Sequence, residues 1–295
     1  ISTRFRQEDF FLLWRRTPCM VVGSYQNICR EVRPVKLWQQ GVPVLRRISG
    51  GGAVYHDLGN LNYSCITTQD GGVDYGKSLA PILEALNAIG VPARQNRTSD
   101  IAIGQEKISG SAQRSAGGRL LHHGTLLFDS DPTALEDISV RGKNDCVQTK
   151  GTQSAICAVT NIRPHLAEDM TIETFRQRLL DRMVPDPGGR RELTPAQREE
   201  IFRLRDEKYY SWEWTWGRTP AFTYEKHGVF SGAPFHAAYA AKHGIVSDAA
   251  IDCPALDAAQ AVRLLNGARL GPESFAGICE ALAGERSPEL LELLL

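Results

Sequence analysis

The sequence predicts an α+β protein: a catalytic domain on a mixed or antiparallel sheet with flanking helices over residues 1–222, then a small α/β accessory domain over residues 223–295. Three observations predict it. Short β-rich runs bounded by Gly and Pro crowd the N-terminal part of the chain. Segments with apolar residues at helical spacing follow them. A second strand-then-helix succession begins after Phe222.

In chain order, FFLLWRRTPCMVVGSYQN reads as two apolar runs about a Thr-Pro turn, which predicts a pair of antiparallel strands. GVPVLRRISGGGAVYHD places a strand on each side of a triple glycine, and LNYSCITT continues the β pattern. SLAPILEALNAIGV carries the helical period and ends at Gly90, so a helix is expected to pack on the sheet. DIAIG with KISGSAQ, and RLLHHGTLLFD, read as further strands joined by RSAGG. The stretch 132–164 is polar and irregular; TIETFRQRLLDRMV and TPAQREEIFRLRDEKYY then read as helices. WEWTWGRTPAF predicts an ordered connection in which the tryptophans pack a corner. Beyond it, DAAQAVRLLNGARL and SFAGICEALAG carry the helical period, and LLELLL reads as a helix end.

The bulk numbers bound the chemistry. Lys plus Arg equals Asp plus Glu at 34 each, so no overall charge excess points to nucleic acid or an anionic membrane. Any basic site must be local. The seven cysteines, at 19, 29, 65, 146, 157, 253 and 279, form no CxxC pair and no zinc spacing, and are read as reduced, mostly buried thiols of a reducing compartment. No apolar run approaches the roughly 18–20 residues that a bilayer span needs, and ISTRFRQEDF lacks a secretory apolar stretch. The expectation is a soluble, intracellular protein. Because the chain opens on Ile, upstream residues are expected to have been removed or left out.

The most informative stretch is Arg46-Arg47-Ile48-Ser49-Gly50-Gly51-Gly52-Ala53-Val54-Tyr55-His56-Asp57. Three glycines between strands clear side chains from a place where a phosphate could approach and allow amides to point into one concavity. The two arginines add donors and fixed charge beside it. The alternative is a flexible hairpin with surface arginines, since the third glycine of a dinucleotide GxGxxG is here Tyr55. Lys107-Ile108-Ser109-Gly110-Ser111-Ala112-Gln113 is the second candidate: a strand lysine followed by small residues could set one ammonium against a close-packed ligand, or simply be solvated. The third is Gly71-Gly72-Val73-Asp74-Tyr75-Gly76-Lys77-Ser78, which satisfies GxxxxGK[ST]. Asp74 inside the would-be phosphate cradle, Pro81 in the following helix and the lack of a later strand ending in a magnesium-binding Asp argue against a P-loop NTPase.

RRISGGGAVYHDLGN, KISGSAQR, HHGTLL and WEWTWGRTPAF, in this order, resemble the lipoate–protein ligases, a family related to mitochondrial lipoyltransferases and biotin–protein ligases. The resemblance extends over about residues 10–222. It implies a biotin/lipoate ligase-like catalytic domain and a two-step reaction, in which lipoate and ATP give lipoyl-AMP and an acceptor lysine then takes the lipoyl group. Arg47 with Ser49, Gly50, Gly51, Gly52, Ala53, Val54 and Tyr55 would contact ATP or lipoyl-AMP, and Lys107 would bridge the phosphate and the lipoyl carbonyl as the catalytic residue. Arg47, His56, Asn60, Ser109, Gly110, Ala112 and His123 would line the lipoate pocket, and Mg²⁺ would accompany ATP with Asp100 as its ligand. The implied partners are lipoyl domains of 2-oxoacid dehydrogenase complexes and the glycine-cleavage H protein, with neither nucleic acid nor membrane. The implied location is cytoplasmic, or the mitochondrial matrix if eukaryotic.

Lys107 would act as a permanent positive charge where negative charge accumulates in both steps, and no residue declares itself as the base for the incoming amine. In the family-like reading Lys77 becomes a surface residue. Two departures stand out: most of an Asn-Leu-Ala-x-Glu-Glu-like opening is missing, and Ser99-Asp100-Ile101 stands where Asn-Asp-Ile is usual. Other readings are a transferase that uses preformed lipoyl-AMP, a cysteine-dependent octanoyl or lipoyl transferase through Cys146 or Cys157, and a non-enzymatic lipoate sensor.

Overall fold

The computed structural model describes residues 8–69, 72–131, 133–134, 138–140, 144–155 and 157–295. Three sheets organise it. The largest has six strands in the order β1-β5-β9-β8-β7-β6, where β1 is Phe10–Trp14, β5 Asn60–Thr68, β6 Arg94–Gln95, β7 Asp100–Ile103, β8 Glu106–Ala116 and β9 Arg119–Leu127; every pairing is antiparallel. A three-stranded sheet has β2 (Cys19–Val22) between β3 (Val44–Arg46), which runs parallel to it, and β4 (Val54–His56), which runs antiparallel. The mixed and antiparallel character expected from the sequence is therefore present, divided between two sheets.

The two runs of FFLLWRRTPCMVV do not pair with each other. β1 adds to the edge of the large sheet through β5, whereas β2 becomes the centre of the small one. Arg15 donates to Leu58 O and Arg16 to the Tyr210 hydroxyl, so the segment between the strands spans two sheets instead of closing a hairpin. The antiparallel pair expected from the sequence is therefore not formed. A Thr-Pro turn signal reports a change of direction but not which strand receives the next ladder.

Two helices cover one face of the large sheet: α3 (Tyr75–Ala88), capped by Asp74, and α4 (Ile172–Met183), capped by Thr171. Leu79, Ile82 and Leu86 of the first and Phe175 and Leu179 of the second are buried with Leu61, Tyr63, Ile101 and Leu126 of the sheet. Phe128 and Phe175 bring their ring centroids to 4.8 Å, which closes the far end of this core. Short helices α1 (Ile28–Glu31) and α2 (Pro34–Gln39) cover the small sheet, with Ile28 and Leu37 packed on Met20 and Val22. α5 (Pro195–Leu204) and the one-turn α6 (Trp212–Thr215) follow.

The C-terminal sheet has the order β10-β11-β12-β13: Val147–Thr149, Phe222–Phe230, Ala233–Lys242 and Ile245–Asp252. Along β11 and β12 alternate residues are buried, so one face is dry and the other meets water. The dry face packs under α7 (Ala258–Leu265), α8 (Pro272–Ala283) and α9 (Ser287–Leu294) through Leu265, Phe275, Leu290 and Leu294. The helices expected in this region, including LLELLL as a helix end, are present. Cys29 and Val35 enter the same core, and β10 lends an edge strand from before residue 150.

All seven cysteines are free thiols, and Cys19, Cys29, Cys253 and Cys279 are buried. Among the described residues no helix is long and apolar enough to cross a membrane.

Candidate active site between two sheets

The register of the large sheet separates its two faces. Tyr63 opposes Gly124, which opposes Ser111, and this row points toward α3 and α4. The alternate row places Asn60, Asn62 and Ser64 beside His123 and Thr125, with Gly110 and Ala112 beyond. Consecutive histidines therefore face opposite ways. His122 approaches the Tyr63 hydroxyl at 3.3 Å and Gln113 at 3.2 Å within the helix-covered side, while His123 reaches Ser49 Oγ at 2.6 Å on the other. Ser49 belongs to the glycine segment, so this bond ties the small sheet's loop over the polar face of the large sheet. Trp14 adds a second contact between the sheets, donating to Ser64 and meeting the His56 ring at 5.9 Å.

Lys107 lies at the start of β8, where a bulge leaves Ile108 unmatched: Ile101 opposes Ser109 but Ala102 opposes Lys107. The bulge shifts the alternation, so Lys107 joins the face of Gly110. Its ammonium forms an ion pair with Asp100 at 2.9 Å, and Asp100 is only 6% exposed. A β-carbon at Gly110 would lie 2.7 Å from the ammonium nitrogen and 2.8 Å from the adjoining carbon. Glycine is thus required for the lysine to lie across the strand, which gives the run of small residues its physical reason. Lys107 is also fixed by its backbone, which donates to Ala158 O and accepts from Thr160 N.

The glycine loop is drawn together from within. Arg47 donates to Val21 O, Gly50 O and Gly52 O, at 3.2, 2.7 and 2.7 Å. Arg46 donates to Gly23 O, Gln26 O, Thr215 O and Thr219 Oγ1, which joins the loop to the tryptophan connection. Burial lowers both guanidinium pKa values to about 10, with Arg218 reinforcing the effect at Arg46. Gly51 has φ +91, and its carbonyl comes so close to Gly23 that a β-carbon there would overlap it. Gly50 stands beside the Tyr25 ring, and Gly52 is backed by Ser154.

Ser154 is a residue that sequence reasoning missed. Its hydroxyl accepts from Ala53 N at 2.8 Å and from Gln26 Nε2 at 3.0 Å, and donates to Glu31. Glu31 is buried; burial raises its pKa, against the hydrogen bonds from Ser154 that lower it. Because Ser154 comes from the polar, irregular stretch, neither periodicity nor composition points to it. The amide of Ala53 is thereby occupied, and Val54 and Tyr55 continue into β4, paired with Val21 and Met20.

Several buried polar atoms of the loop segment, β4 and the polar face of the large sheet have no hydrogen-bond partner among the described residues: Arg47 Nε, His56 Nδ1, Asn60 Oδ1 and Asn62 Nδ2. Ser109 Oγ is a further one, on the helix-covered face. Orphaned groups of this kind normally mark a bound water, ion or ligand. The imidazoles around them are neutral: burial first, and then nearby Arg47, lowers the pKa of His56 and of His123 to about 4, while burial alone does so at His122. Fixed charge on this face includes Lys107, Asp100 and Arg114, which shares the side of Ala112 and donates to Ile48 O of the loop segment at 2.8 Å, and Arg47 adds a cation from the loop itself.

The other sequence candidates fall elsewhere. Asp74 caps α3 by accepting from Lys77 N, and Lys77 is exposed, so these residues start a helix instead of forming a phosphate cradle; Gly71 lies outside the described residues. Cys146 packs against the C-terminal core, and no histidine hydrogen-bonds to it or to Cys157 among the described residues. The tryptophans do pack a corner: Trp214 donates to Arg46 O and Trp212 to Leu270 O.

The chain thus combines, in an α+β fold, a two-faced antiparallel sheet carrying a strand lysine with a glycine loop tied over it. The chain belongs to the lipoyl protein ligase A/B catalytic domain family, whose model matches residues 2–184. It is 38% identical over 224 residues to lipoate-protein ligase LplJ of Bacillus subtilis, covering 73% of this chain and 67% of that protein. The fold is shared with a structure of lipoate-protein ligase A bound with ATP, at 24% identity and TM-score 0.57, covering 72% of this chain and 87% of the other. It is shared as well with a bipartite lipoate protein ligase from Thermoplasma acidophilum, studied with its E2 lipoyl domain, at 23% identity and TM-score 0.58 over 71% and 84% of the two chains.

Proposed function

We propose that this chain is an ATP-dependent lipoate–protein ligase whose reaction takes place between the polar face of the large sheet and the glycine loop. The observation that supports it most is the set of orphaned buried polar atoms divided between that face and the segment opposite it, with a lysine laid across Gly110 on the same face. In the first step a lipoate carboxylate oxygen attacks the α-phosphorus of ATP and the bond to pyrophosphate breaks, giving lipoyl-AMP. In the second, the ε-amine of an acceptor lysine attacks the lipoyl carbonyl carbon, the bond to AMP breaks, and the amine loses its proton as the amide forms.

Lys107 serves both steps as a fixed cation. Moving from Asp100 toward the α-phosphate and the carbonyl oxygen, it stabilises charge that is larger in the transition state than in the substrates. Arg47 exchanges its carbonyl partners for phosphate oxygens, and Gly50, Gly51 and Gly52 present backbone to the nucleotide, flanked by Ala53, whose amide stays on Ser154, and by Val54 and Tyr55 of β4. Ser49 and His123 hold the loop to the sheet, and His56, Asn60, Gly110 and Ala112 line the acyl side. Mg²⁺ fits this donor set through Asp100: one carboxylate completed by triphosphate oxygens is a set the ion accepts, and it would screen the charge that the carboxylate nucleophile must approach.

The acceptors are lipoyl domains of 2-oxoacid dehydrogenase complexes and the glycine-cleavage H protein. A reducing compartment such as the cytoplasm, or the mitochondrial matrix in a eukaryote, suits seven free thiols. The division at residue 222 serves as the working boundary between catalytic and accessory parts.

Lipoate-dependent ATP–pyrophosphate exchange tests this reading. The wild type and Lys77→Ala are expected to exchange, and Lys107→Ala is not. A transferase of preformed lipoyl-AMP would show no exchange yet label an acceptor from synthetic lipoyl-AMP. A sensor would bind lipoate and release no pyrophosphate. Loss of transfer on alkylation with iodoacetamide, preventable by a lipoyl-AMP analogue, would restore the cysteine route.

A further inference from the structure

The water-facing side of the C-terminal sheet carries a cluster that the ligase reaction does not use. Glu225 and His227 are two residues apart on β11 and share its outer face, and His236 lies directly opposite His227 on β12. The imidazoles stack with centroids 4.3 Å apart and planes at 19°. Both aim Nε2 at one carboxylate oxygen of Glu225, at 3.1 Å from His236 and 3.6 Å from His227. All three donor atoms lie within 4.8 Å of one another.

We propose that Glu225, His227 and His236 form a binding site for a first-row divalent transition metal, zinc or a close analogue, on the outer face of the accessory sheet. Metal–donor bonds of about 2.0–2.2 Å in tetrahedral geometry set the donors about 3.3–3.5 Å apart, close to the two spacings found here. Imidazole with one carboxylate is a donor set that zinc, nickel and copper take, whereas calcium and magnesium prefer oxygen alone.

The surroundings agree. Lys226, between the ligands in sequence, sends its ammonium to Glu292 O, and no Lys or Arg ion pair to Glu225 is present among the described residues. Ala238, opposite Glu225, leaves room above the sheet. Asp252 on β13 lies directly opposite His236 and is exposed, so a fourth donor stands one strand away, where opposed β-carbons are about 5 Å apart. A bound ion would cross-link β11 to β12, and with Asp252 would staple three strands of the sheet.

The test titrates the full chain, free of any polyhistidine tag, with Co²⁺ and Zn²⁺ by calorimetry and visible absorption. Expected is one saturable site with the intense bands of four- or five-coordinate cobalt, bleached by zinc, and a rise of Tm with Zn²⁺. Loss of one of the three ligands should weaken binding by at least about a hundredfold, since the ligands share the binding free energy between them. His236→Ala should show this loss, the double variant His227→Ala/His236→Ala should bind no cobalt at the site, and both should keep lipoate-dependent exchange. Glu225→Gln, nearly isosteric and exposed, reports the same loss if a histidine variant folds poorly. Absence of saturable binding in the wild type, or unchanged binding in the double variant, would overturn the proposal and leave a carboxylate hydrogen-bonded by two imidazoles.

Discussion

The two faces of the large sheet are built from the same strands but solve opposite problems. The face under α3 and α4 buries Leu61, Tyr63, Ile101 and Leu126 in a continuous core. The face under the glycine loop carries Asn60, Asn62, His123 and Gly110, and it buries polar atoms without satisfying all of them. The first gains stability from apolar area removed from water, at about 25 cal/mol per Å². The second gives up part of that gain, because buried polar atoms without partners lose their water and get nothing back from the protein. Residues one position apart, such as His122 and His123, can therefore belong to different tasks.

The largest effect that would sharpen this contrast is on stability. Phe175→Ala empties the core against Phe128 and should cost about 3–5 kcal/mol in chemical denaturation, while turnover per folded molecule stays near the wild-type value. Lys107→Ala is the mirror image: pyrophosphate exchange and acceptor labelling should both fall by about a hundred- to a thousandfold per folded molecule, beyond the drop in urea midpoint that follows from leaving the buried Asp100 carboxylate without its ion-pair partner. If exchange survives in that variant, the polar face has lost its main catalytic assignment.

Gly110→Ala tests whether the small residue serves the lysine. The new methyl would meet the flexible end of Lys107, so the chain should still fold, but exchange should drop by about tenfold as the ammonium moves. A smaller effect is expected with pH. His56, His122 and His123 have folded pKa values of about 4, below the ordinary histidine value near 6.5, so the unfolded chain binds more protons at intermediate pH. Their contribution to stability is fully present above about pH 6.5 and is lost as pH falls toward 4; a fit of Tm against pH that is flat over this window would contradict the buried, neutral imidazoles. Smallest of all, Lys77→Ala should leave exchange unchanged, because that lysine lies on the surface of α3.

Much of this contrast was legible in the sequence, but only where cause and effect are local. The helical period of SLAPILEALNAIGV and the run of small residues after Lys107 are local patterns, and both are realised. The bond from Ser49 to His123 joins two motifs quoted for one pocket, though nothing in either motif fixes that geometry. The partition of β1 and β2 into different sheets depends on partners far along the chain, and so do the uses of Arg46 and Arg47. Ser154 illustrates the limit: its hydroxyl links Ala53, Gln26 and Glu31, yet its neighbours in sequence carry no pattern. Gly23, where a β-carbon would overlap Gly51 O, is likewise explained only by the backbone that passes beside it in the folded chain.

The edge strand β10 has a consequence in time. Val147 pairs with Tyr224, so during synthesis the segment that becomes β10 has no ladder to join until the chain beyond Phe222 has left the ribosome. Over that interval Cys29 and Val35 also lack the core that later covers them. The nascent family domain is thus complete in sequence before it is complete in structure, and a chaperone that shields this edge should raise its yield more than one that acts after release.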